Sequence, residues 1–345
     1  MISDRVRRLR KNFLGKAFDG GVVTGEADIR YLTGALGGGV LYLDSDKAVL
    51  FPPPVNFNQA YESAYEDVEC REYEGDWPFR ELRDLAGNSR IFFEPCRLSQ
   101  KVYSSLKELG AEPAGIVSGM RMIKDSEEVM LIRKSCSLAA EILGSLDISV
   151  IQDKTEADLA GLLENMAWKN GLSGSAFRPV VASGVNSAYP HHLPCDVQIS
   201  DGWLVIDYGV VFRGYASDLT RTHILTKFVG NFNSERLLSN LRDAKNAAVK
   251  KLRPGVVCGE VYEEARSVLG EYGLDRYFSH GLGHGIGLEV HERPWLRKGD
   301  TTVLEESMVV TVEPGFYIRG SGGMRLEDSY LITSEGRELL TRQYP

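Results

Sequence analysis

The chain has 345 residues, a formal net charge of -8 at pH 7 and a sequence pI near 5.4. Its length predicts two domains of ordinary size, and its 43% hydrophobic and 26% charged residues exclude a disordered or fibrous protein. The acidic balance argues against nucleic acid or an anionic membrane as a partner, and favours a small molecule or a peptide. No uninterrupted apolar run approaches the roughly 18 residues that a membrane-spanning helix needs, so we expect no such span.

The basic N-terminal segment MISDRVRRLRKNFLGK predicts an amphipathic helix. Ser3 or Asp4 is its expected N-cap. No apolar stretch follows the arginines, so we do not expect a targeting signal. The apolar positions recur at helical spacing, at Ile2, Val6, Leu9 and Phe13.

The first third of the chain predicts an α/β domain at residues 1–122. Strand-like segments, GGVVTG, GGVLYLD and KAVLF, are separated by clusters of Gly and Pro, and helical patterns lie between them.

A change of pattern predicts a second domain at residues 123–345. From Lys124 the sequence KDSEEVMLIRKSCSLAAEILGSL predicts a long helix with Ser126 as its N-cap. The next helix is expected to begin near Thr155, which can form a capping box with Asp158.

The helix that begins near Thr155 is expected to end at Gly171. Two further helices of the second domain are expected over about 234–252 and over about 259–272. Two strand pairs follow the pattern of hairpins. WLVIDYGVVF and YASDLTRTHIL flank Arg213-Gly214, and MVVTVEPGFYI and MRLEDSYLIT flank a glycine cluster at 320–323. The second domain is therefore expected to be α+β, with helices covering an antiparallel sheet.

The five cysteines are scattered and form no CxxC pair. This distribution favours free thiols in a reducing compartment, and hence a cytoplasmic protein, over a disulfide framework or a zinc knuckle.

Acidic residues occur inside both strand pairs, where a half-buried surface offers a carboxylate little solvation. If Arg213-Gly214 forms a two-residue turn, Gly209 pairs with Asp218. Asp207 then lies diagonal to Asp218 on the same face, within reach of a shared ligand.

The second strand pair repeats this arrangement, since Glu313 and Glu327 flank its glycine cluster at nearly equal distances. Four converging carboxylates would raise one another's pKa, a conflict that two divalent ions would remove. Oxygen ligands with one imidazole favour Mn²⁺, Co²⁺ or Zn²⁺ over Ca²⁺, and carboxylates can bridge two such ions. The imidazole is expected from the glycine-rich segment SHGLGHGIGLEVHE, which carries His280, His284 and His291.

Taken singly, these residues also have ordinary explanations. A strand aspartate such as Asp207 is commonly a turn or edge residue, and the pair His191-His192 can belong to a simple loop. His223 can face solvent, and Arg325 can pair with a neighbouring acid. The joint pattern favours a site, because chance rarely sets paired acids on two hairpins with a glycine-histidine segment between them.

The ordered segments IDYG, SDLTRT, GHGIGLEVHE, TVEPG and GGMRLED resemble the metal-binding signature of the pita-bread metallopeptidases, most closely the prolidase and Xaa-Pro aminopeptidase branch. RMIKDSEEVMLIRKS resembles the entry to that catalytic domain, and NSAYPHH resembles its loop with a substrate-facing histidine. The resemblance implies a pseudo-twofold pita-bread fold from about residue 121 onward. The first third resembles the family's creatinase-like N-terminal domain in length and in the segment ADIRYLTGALGG.

The resemblance also implies a metal-ligand set. Asp207 would hold one ion and His284 the other, with Glu313 beside His284, and Asp218 and Glu327 would bridge the pair. Mn²⁺ or Co²⁺ is expected first, with Zn²⁺ as the alternative. A hydroxide shared by the ions would attack the peptide carbonyl, and Glu313 would carry a proton to the leaving nitrogen.

Other residues acquire roles from the same resemblance. His191 and His291 would stabilise the tetrahedral intermediate. His280 would line the pocket for the residue after the cut bond. Arg325, also on the substrate side, would orient Glu327 or other acids of the site.

The activity implied is that of an Xaa-Pro dipeptidase acting on small peptides, in a protein expected to form homodimers. An Xaa-Pro aminopeptidase acting on longer peptides is the alternative, because HERPWLRK places Trp295 where related prolidases often carry a basic residue for the substrate carboxylate, with Arg293 and Arg297 alongside. A methionine aminopeptidase would usually lack so large an N-terminal domain. A metal-free binding module of the same fold would typically have lost ligands that are all present here.

Overall fold

The computed structural model describes residues 4–95, 98–151 and 153–342, apart from the side chains of residues 149 and 150. The predictions that concern Ile2, Ser3 and Cys96 lie outside this part of the chain. The chain divides into two compact units, Met1–Arg121 and Met122–Pro345.

The elements up to residue 122 alternate between helix and strand. The helices are α1 (Asp4–Leu14), α2 (Glu26–Thr33), α3 (Phe57–Ser63), α4 (Phe79–Ala86), α5 (Gln100–Glu108) and α6 (Ile116–Met122), with a 3-10 turn at Pro54–Asn56. The strands are β1 (Gly20–Val23), β2 (Val40–Asp44), β3 (Ala48–Phe51), β4 (Glu69–Cys70), β5 (Ile91–Phe93) and β6 (Glu112–Pro113).

These strands form a mixed sheet in the order β4-β3-β2-β1-β5-β6. The pairs β1–β2 and β2–β3 are antiparallel, and the other neighbours are parallel. Val6, Leu9 and Phe13 of α1 are buried, which confirms the amphipathic pattern over the part of the helix that is described. The α/β class expected for this third of the chain is confirmed.

The second unit contains long helices and one short one, at Ile148–Ile151. They are α7 (Ser126–Gly144), α8 (Ile148–Ile151), α9 (Glu156–Lys169), α10 (Ser234–Lys251) and α11 (Cys258–Glu271), with 3-10 turns at Gly184–Ala188 and Asp275–Tyr277. Thr155 forms the expected capping box with Asp158. Gly171 follows α9 with a left-handed φ of 69°, as a helix stop requires.

The N-cap prediction for α7 is wrong by one residue. Asp125, not Ser126, accepts the backbone N–H of Glu128, and the Glu128 side chain accepts the backbone N–H of Asp125. This reciprocal box needs a capping side chain three positions before the glutamate, and Asp125 alone has that spacing.

The strands of the second unit are β7 (Val180–Ser183), β8 (Trp203–Tyr208), β9 (Val211–Phe212), β10 (Tyr215–Ala216), β11 (Leu219–Ile224), β12 (Phe228–Val229), β13 (Phe232–Asn233), β14 (Gly283–Gly285), β15 (Glu292–Leu296), β16 (Val309–Val312), β17 (Gly315–Ile318), β18 (Gly322–Arg325), β19 (Asp328–Thr333) and β20 (Gly336–Leu339). They form antiparallel sheets in the orders β11-β8-β7 and β15-β14-β16-β19-β20, with two-stranded ribbons β9-β10, β12-β13 and β17-β18.

Each main sheet of the second unit is covered by a pair of helices. Leu143 of α7 and Leu163 of α9 belong to one core with Ile206 of β8. Leu241 of α10 and Leu269 of α11 belong to another core, which contains buried residues of β16 and β18. The expected α+β architecture, with helices on antiparallel sheets, is confirmed. Within the described ranges, no helix has the length and apolar character that a bilayer span requires.

Candidate metal centre

The first acidic hairpin turns at Arg213 and Gly214. Their φ angles of 49° and 91° are the left-handed values that a two-residue hairpin turn requires. Phe212 pairs with Tyr215 across this turn. The sequence-based register of the hairpin is therefore confirmed.

This register brings Asp207 and Asp218 to one side of the hairpin. Asp207 pairs directly with Thr220, so Asp218 lies diagonally across from it. Gly209 lies opposite Asp218, in the gap between the two strand ladders. A Cβ atom at Gly209 would lie only 1.9 Å from the carbonyl oxygen of Ser217, so the close approach of the two chain segments depends on this glycine.

The second hairpin places its two glutamates face to face. β16 pairs with β19 as far as Val312 and Asp328, and β17 pairs with β18 in the same register. Glu313 and Glu327 lie opposite each other between these two ladders. Each hairpin thus presents one pair of carboxylates.

His284 is fixed on β14 beside these acids. Its ring Nδ1 lies 3.1 Å from the carbonyl oxygen of Gly285 and donates to it, so Nε2 carries the lone pair. Nε2 lies 3.6 Å from Asp218 Oδ2 and 3.4 Å from Glu313 Oε1. A Cβ atom at Gly283 would lie 2.0 Å from a carbonyl oxygen of β16, which confirms that a glycine lets this strand pass close to the site.

The five predicted ligands converge. Ligand atoms of Asp207, Asp218 and Glu327 lie within 4.8 Å of one another, and so do ligand atoms of His284, Glu313 and Glu327. Because Glu327 belongs to both groups and Asp218 also faces His284, these two carboxylates connect the groups. The candidate ligands therefore form two overlapping groups rather than two separate ones.

The electrostatics of the acids fit divalent cations. Burial, together with the carboxylate of Glu327, raises the pKa of Asp218 and of Glu313 well above their usual ranges. Burial and the carboxylate of Asp207 raise the pKa of Glu327 to about 8. One oxygen each of Asp207, Asp218 and Glu327 is buried without a hydrogen-bond partner. Such orphaned oxygens are costly unless a cation takes them as ligands.

The imidazole of His284 is suited to the same ions. Burial, and then the neighbouring ring of His291, lower the pKa of His284 to about 3, so its contacts with the acids are not ion pairs. A neutral imidazole with a free Nε2 lone pair is the form that binds a metal. His291, which is exposed, also offers a ring nitrogen within 4.8 Å of ligand atoms of His284 and Asp218.

Arg325 connects several parts of the centre. Its Nη2 lies 2.7 Å from Asp207 Oδ2, and its Nε donates to Thr220 Oγ1 at 3.1 Å. Thr220 in turn donates to Glu327 Oε2 at 2.7 Å. Arg325 therefore holds Asp207 directly and reaches Glu327 through one hydroxyl.

The same arginine anchors a tyrosine–histidine chain. Arg325 Nη1 donates to the Tyr317 hydroxyl at 2.8 Å, and that hydroxyl lies 2.9 Å from His280 Nε2. His280 Nδ1 donates to the carbonyl oxygen of Gly281 at 2.7 Å. Burial, and then Arg325, lower the pKa of His280 to about 4. The neutral His280 ring therefore accepts a hydrogen bond from the Tyr317 hydroxyl at Nε2, and its orientation is fixed.

The acids lie in a cavity of about 500 Å³. Its walls include the histidines expected to face substrate, His191, His280 and His291, together with Arg325. Apolar side chains complete the lining at Phe177, Val180, Pro190, Leu193 and Trp295.

The sequence interpretation missed several side chains of this site. Thr220 could have been found, because it follows Asp218 by two residues in a strand and therefore shares its face. Tyr317 lies in β17, but no motif in the sequence around it indicates that its hydroxyl contacts Arg325. Phe177 and Leu193 reach the cavity from loops that carry no motif.

Comparisons with known proteins agree with this geometry. Residues 130–334 match the model of metallopeptidase family M24, and residues 5–123 match that of the creatinase/prolidase N-terminal domain. An Xaa-Pro dipeptidase of Pyrococcus furiosus is 32% identical over 352 aligned positions, which cover 99% of this chain and 98% of that protein.

Solved structures show the same relationship. An Xaa-Pro dipeptidase from Bacillus anthracis is 32% identical, with a TM-score of 0.88 over 100% of this chain and 98% of that one. An X-Pro aminopeptidase from Thermotoga maritima is 29% identical, with a TM-score of 0.80 over 99% and 98% of the two chains.

The fold and the site define a metal-dependent hydrolase. The chain belongs to metallopeptidase family M24, whose catalytic domain is preceded here by a creatinase/prolidase N-terminal domain. Membership in this family implies divalent metal ions, and the cluster of carboxylates and imidazole is where the chain can hold them.

Proposed function

We propose that this protein is an Xaa-Pro dipeptidase that uses two divalent metal ions. The observation that carries the proposal is the convergence of four carboxylates and one neutral imidazole at the wall of a cavity, with three carboxylate oxygens left unpartnered. The full-length similarity to an Xaa-Pro dipeptidase supports the substrate class. The catalytic domain in this proposal is residues 123–345.

Five residues would hold the ions. Asp207 is proposed for one ion and His284 with Glu313 for the other, while Asp218 and Glu327 would serve both. This assignment follows the two groups of ligand atoms and the two residues that connect them. Mn²⁺ or Co²⁺ is proposed first and Zn²⁺ second, because the donor set is mostly carboxylate oxygen with one nitrogen.

When bound, the ions would supply Lewis acidity and a water of lowered pKa. Side chains of the protein would then transfer the protons and orient the substrate. Glu313 would accept a proton and pass it to the leaving nitrogen. His191 and His291, which are exposed in the cavity wall, would donate hydrogen bonds to the oxygen on which negative charge develops.

The substrate side of the cavity suits a proline ring. An Xaa-Pro bond has no amide hydrogen to serve as an anchor, so recognition must rely on apolar contact and shape. Trp295 and Leu193 supply apolar surface, and His280 is held by Tyr317 in a fixed, neutral form. Both His280 and Arg325 line this cavity, and we propose that they contribute to substrate binding.

An Xaa-Pro aminopeptidase is the second candidate, because Trp295 stands in the cavity wall at the position where related prolidases often carry a basic residue for the carboxylate of a dipeptide, although Arg178 and Arg297 also line the cavity. The two are separated by supplying the metal-loaded protein with Xaa-Pro dipeptides and matched Xaa-Pro tripeptides, and measuring kcat/KM for each. The dipeptidase proposal requires proline to be released from dipeptides. Cleavage of tripeptides with no release from any dipeptide would replace it with the aminopeptidase.

The proposal also includes a cytoplasmic location and a homodimer. Cys70, Cys136, Cys195 and Cys258 are free thiols, as a reducing compartment permits. Light scattering at micromolar concentration would test the homodimer, which a monomeric mass would contradict.

A further inference from the structure

A second cluster of metal-ligating side chains lies apart from the five residues of the candidate metal centre. Glu156, His192 and Cys195 each offer one ligand atom, and these atoms lie within 4.8 Å of one another. Glu156 is the first residue of α9, and the other two belong to the loop that follows the 3-10 turn Gly184–Ala188. A set of one carboxylate, one imidazole and one thiol is the set that Zn²⁺ and Co²⁺ favour.

The carboxylate of Glu156 is already oriented for such a role. Its Oε1 accepts hydrogen bonds from the Ser183 backbone N–H at 2.7 Å, the Ser183 hydroxyl at 3.0 Å and the Asn186 amide at 3.1 Å. Its Oε2 faces His192 Nε2 at 2.6 Å and Cys195 Sγ at 3.3 Å. Oε1 is thus fixed by outer partners, as one oxygen of a metal-binding carboxylate usually is. Oε2 also accepts longer hydrogen bonds from the Asn186 amide at 3.3 Å and the Cys195 backbone N–H at 3.4 Å, and it faces the other two ligand atoms.

The spacing of the donors is close to that of a tetrahedral site. Ligand atoms on a tetrahedral Zn²⁺ lie roughly 3.3 to 3.6 Å apart, given metal–ligand distances of about 2.0 to 2.3 Å. The atoms here are separated by 2.6 Å for the His192–Glu156 pair, 3.3 Å for Cys195–Glu156 and 3.9 Å for Cys195–His192. Side-chain movements of less than about 1 Å would reach the ideal values.

The negative charge of this cluster and its partial exposure to solvent also favour the binding of a cation. The Cys195 thiol donates a hydrogen bond to Glu156, so a bound metal would take the place of the thiol proton and release it to solvent. Binding would place two positive charges against one carboxylate and one thiolate, which neutralises a buried anion. Glu156 is fully buried, but 13% of the His192 side chain is exposed and Cys195 is half-buried. This side is open for the entry of an ion and for a water as fourth ligand.

We propose that Glu156, His192 and Cys195 form a binding site for one thiophilic divalent cation of the Zn²⁺ class, distinct from the candidate metal centre. The segment that carries the two loop ligands is attached to the start of α9, since the backbone N–H groups of Glu156 and Ala157 donate to Val197 and Cys195. The site is therefore preorganised. His192 also lines the cavity of the candidate metal centre, whereas Glu156 and Cys195 are not part of that lining.

Cobalt spectroscopy tests this proposal without any activity measurement. The reduced, metal-free full chain is titrated with Co²⁺, and the near-ultraviolet absorption is followed for a thiolate-to-cobalt charge-transfer band. The candidate metal centre has no cysteine, so it cannot produce this band. We expect the band in the natural protein, its loss in Cys195→Ser, and its displacement by an excess of Zn²⁺.

Two control variants separate the sites. Cys70→Ser removes another half-buried free thiol from the other unit and should keep the band. Asp218→Ala removes a proposed ligand of the candidate metal centre and should also keep it. Absence of the band in the natural protein, or its persistence in Cys195→Ser, would show that the cluster is only a hydrogen-bonded anchor for the loop.

Discussion

The hydroxyl of Thr220 donates a 2.7 Å hydrogen bond to Oε2 of Glu327, although the two residues belong to different hairpins. The bond fixes one oxygen of Glu327, while the other is buried without a partner. Thr220 thus orients the carboxylate that belongs to both groups of candidate ligands.

Replacing this threonine should weaken metal binding. Thr220→Val keeps the shape of the side chain but removes the hydroxyl that holds Glu327 and accepts from Arg325. Loss of an outer partner of a metal ligand typically lowers affinity by about 10- to 100-fold. We expect a drop of that size in Mn²⁺ affinity, measured by calorimetric titration. Thr220→Ser retains the hydroxyl and should stay near the natural value; equal loss in both variants would contradict this role.

Arg325 should stabilise the metal-free protein. Its charge partly offsets the rise in pKa that burial causes in Asp218, Glu313 and Glu327, and it is itself buried against Asp207 at 2.7 Å. Arg325→Met would leave that carboxylate unpaired, which costs about 3 to 5 kcal/mol for a buried pair. Urea unfolding of the metal-free variant should show this loss.

Metal loading of Arg325→Met should recover part of the lost stability, because the ions would neutralise the same acids. Arg297→Met is the matched control, since its side chain also lines the cavity but is 61% exposed. We expect a change in unfolding free energy below about 1 kcal/mol there. A comparable loss in both variants would show that Arg325 has no special function at this site.

The stability of the metal-free protein should fall as pH rises. The pKa of Glu327 is raised from 4.5 to about 8, because burial and the carboxylate of Asp207 disfavour its charged form. The unfolded chain therefore loses this proton near pH 4.5 while the folded chain keeps it. The stabilisation is complete below that pH and is lost as pH rises through about 8.

Chemical denaturation of the metal-free protein between these pH values would measure the decline. Glu327→Gln, which stays neutral, should reduce the decline, and the part that remains would belong to Asp218 and Glu313, whose pKa values are also raised. Bound ions would hold the carboxylates charged, so the metal-loaded protein should lack this decline. A metal-free stability that increases over the same range would contradict the raised pKa.

His291 should affect turnover rather than metal content. Its exposed ring lies beside His284, with ring centroids 4.3 Å apart, and it lines the cavity. Removal of one hydrogen-bond donor to a developing oxyanion typically lowers kcat by about 100- to 1000-fold. We expect this for His291→Ala on the best Xaa-Pro substrate, with the metal content unchanged. His223→Gln, which lies outside the cavity lining, should leave kcat within about twofold; a large metal loss in His291→Ala would make it a ligand instead.

The sequence predicts this site as far as local geometry determines it. The turn at Arg213 and Gly214 fixes the register of its hairpin, so the diagonal placement of Asp207 and Asp218 follows from strand geometry alone. The same reasoning places Glu313 opposite Glu327.

Contacts between distant segments lie beyond that reasoning. Arg325 meets Asp207 across 118 positions of sequence, and Glu156 meets His192 across 36. Neither distance is set by a strand or helix period, because tertiary packing decides which segments become neighbours. The misplaced cap of α7 has a different cause, since Asp125 and Ser126 are both good caps and only the reciprocal bond with Glu128 selects between them.

The most direct test of the two-ion centre is a count of tightly bound Mn²⁺. The metal-free protein is dialysed to equilibrium against Mn²⁺, an ion with little preference for thiols, and metal and protein are quantified by elemental and amino-acid analysis. We expect two ions per chain in the natural protein, and the loss of both tight sites in Asp218→Asn, because this carboxylate is proposed to bridge them. A natural protein that binds one ion or none, or an Asp218→Asn variant that retains two, would contradict the shared-ligand centre on which the proposed activity depends.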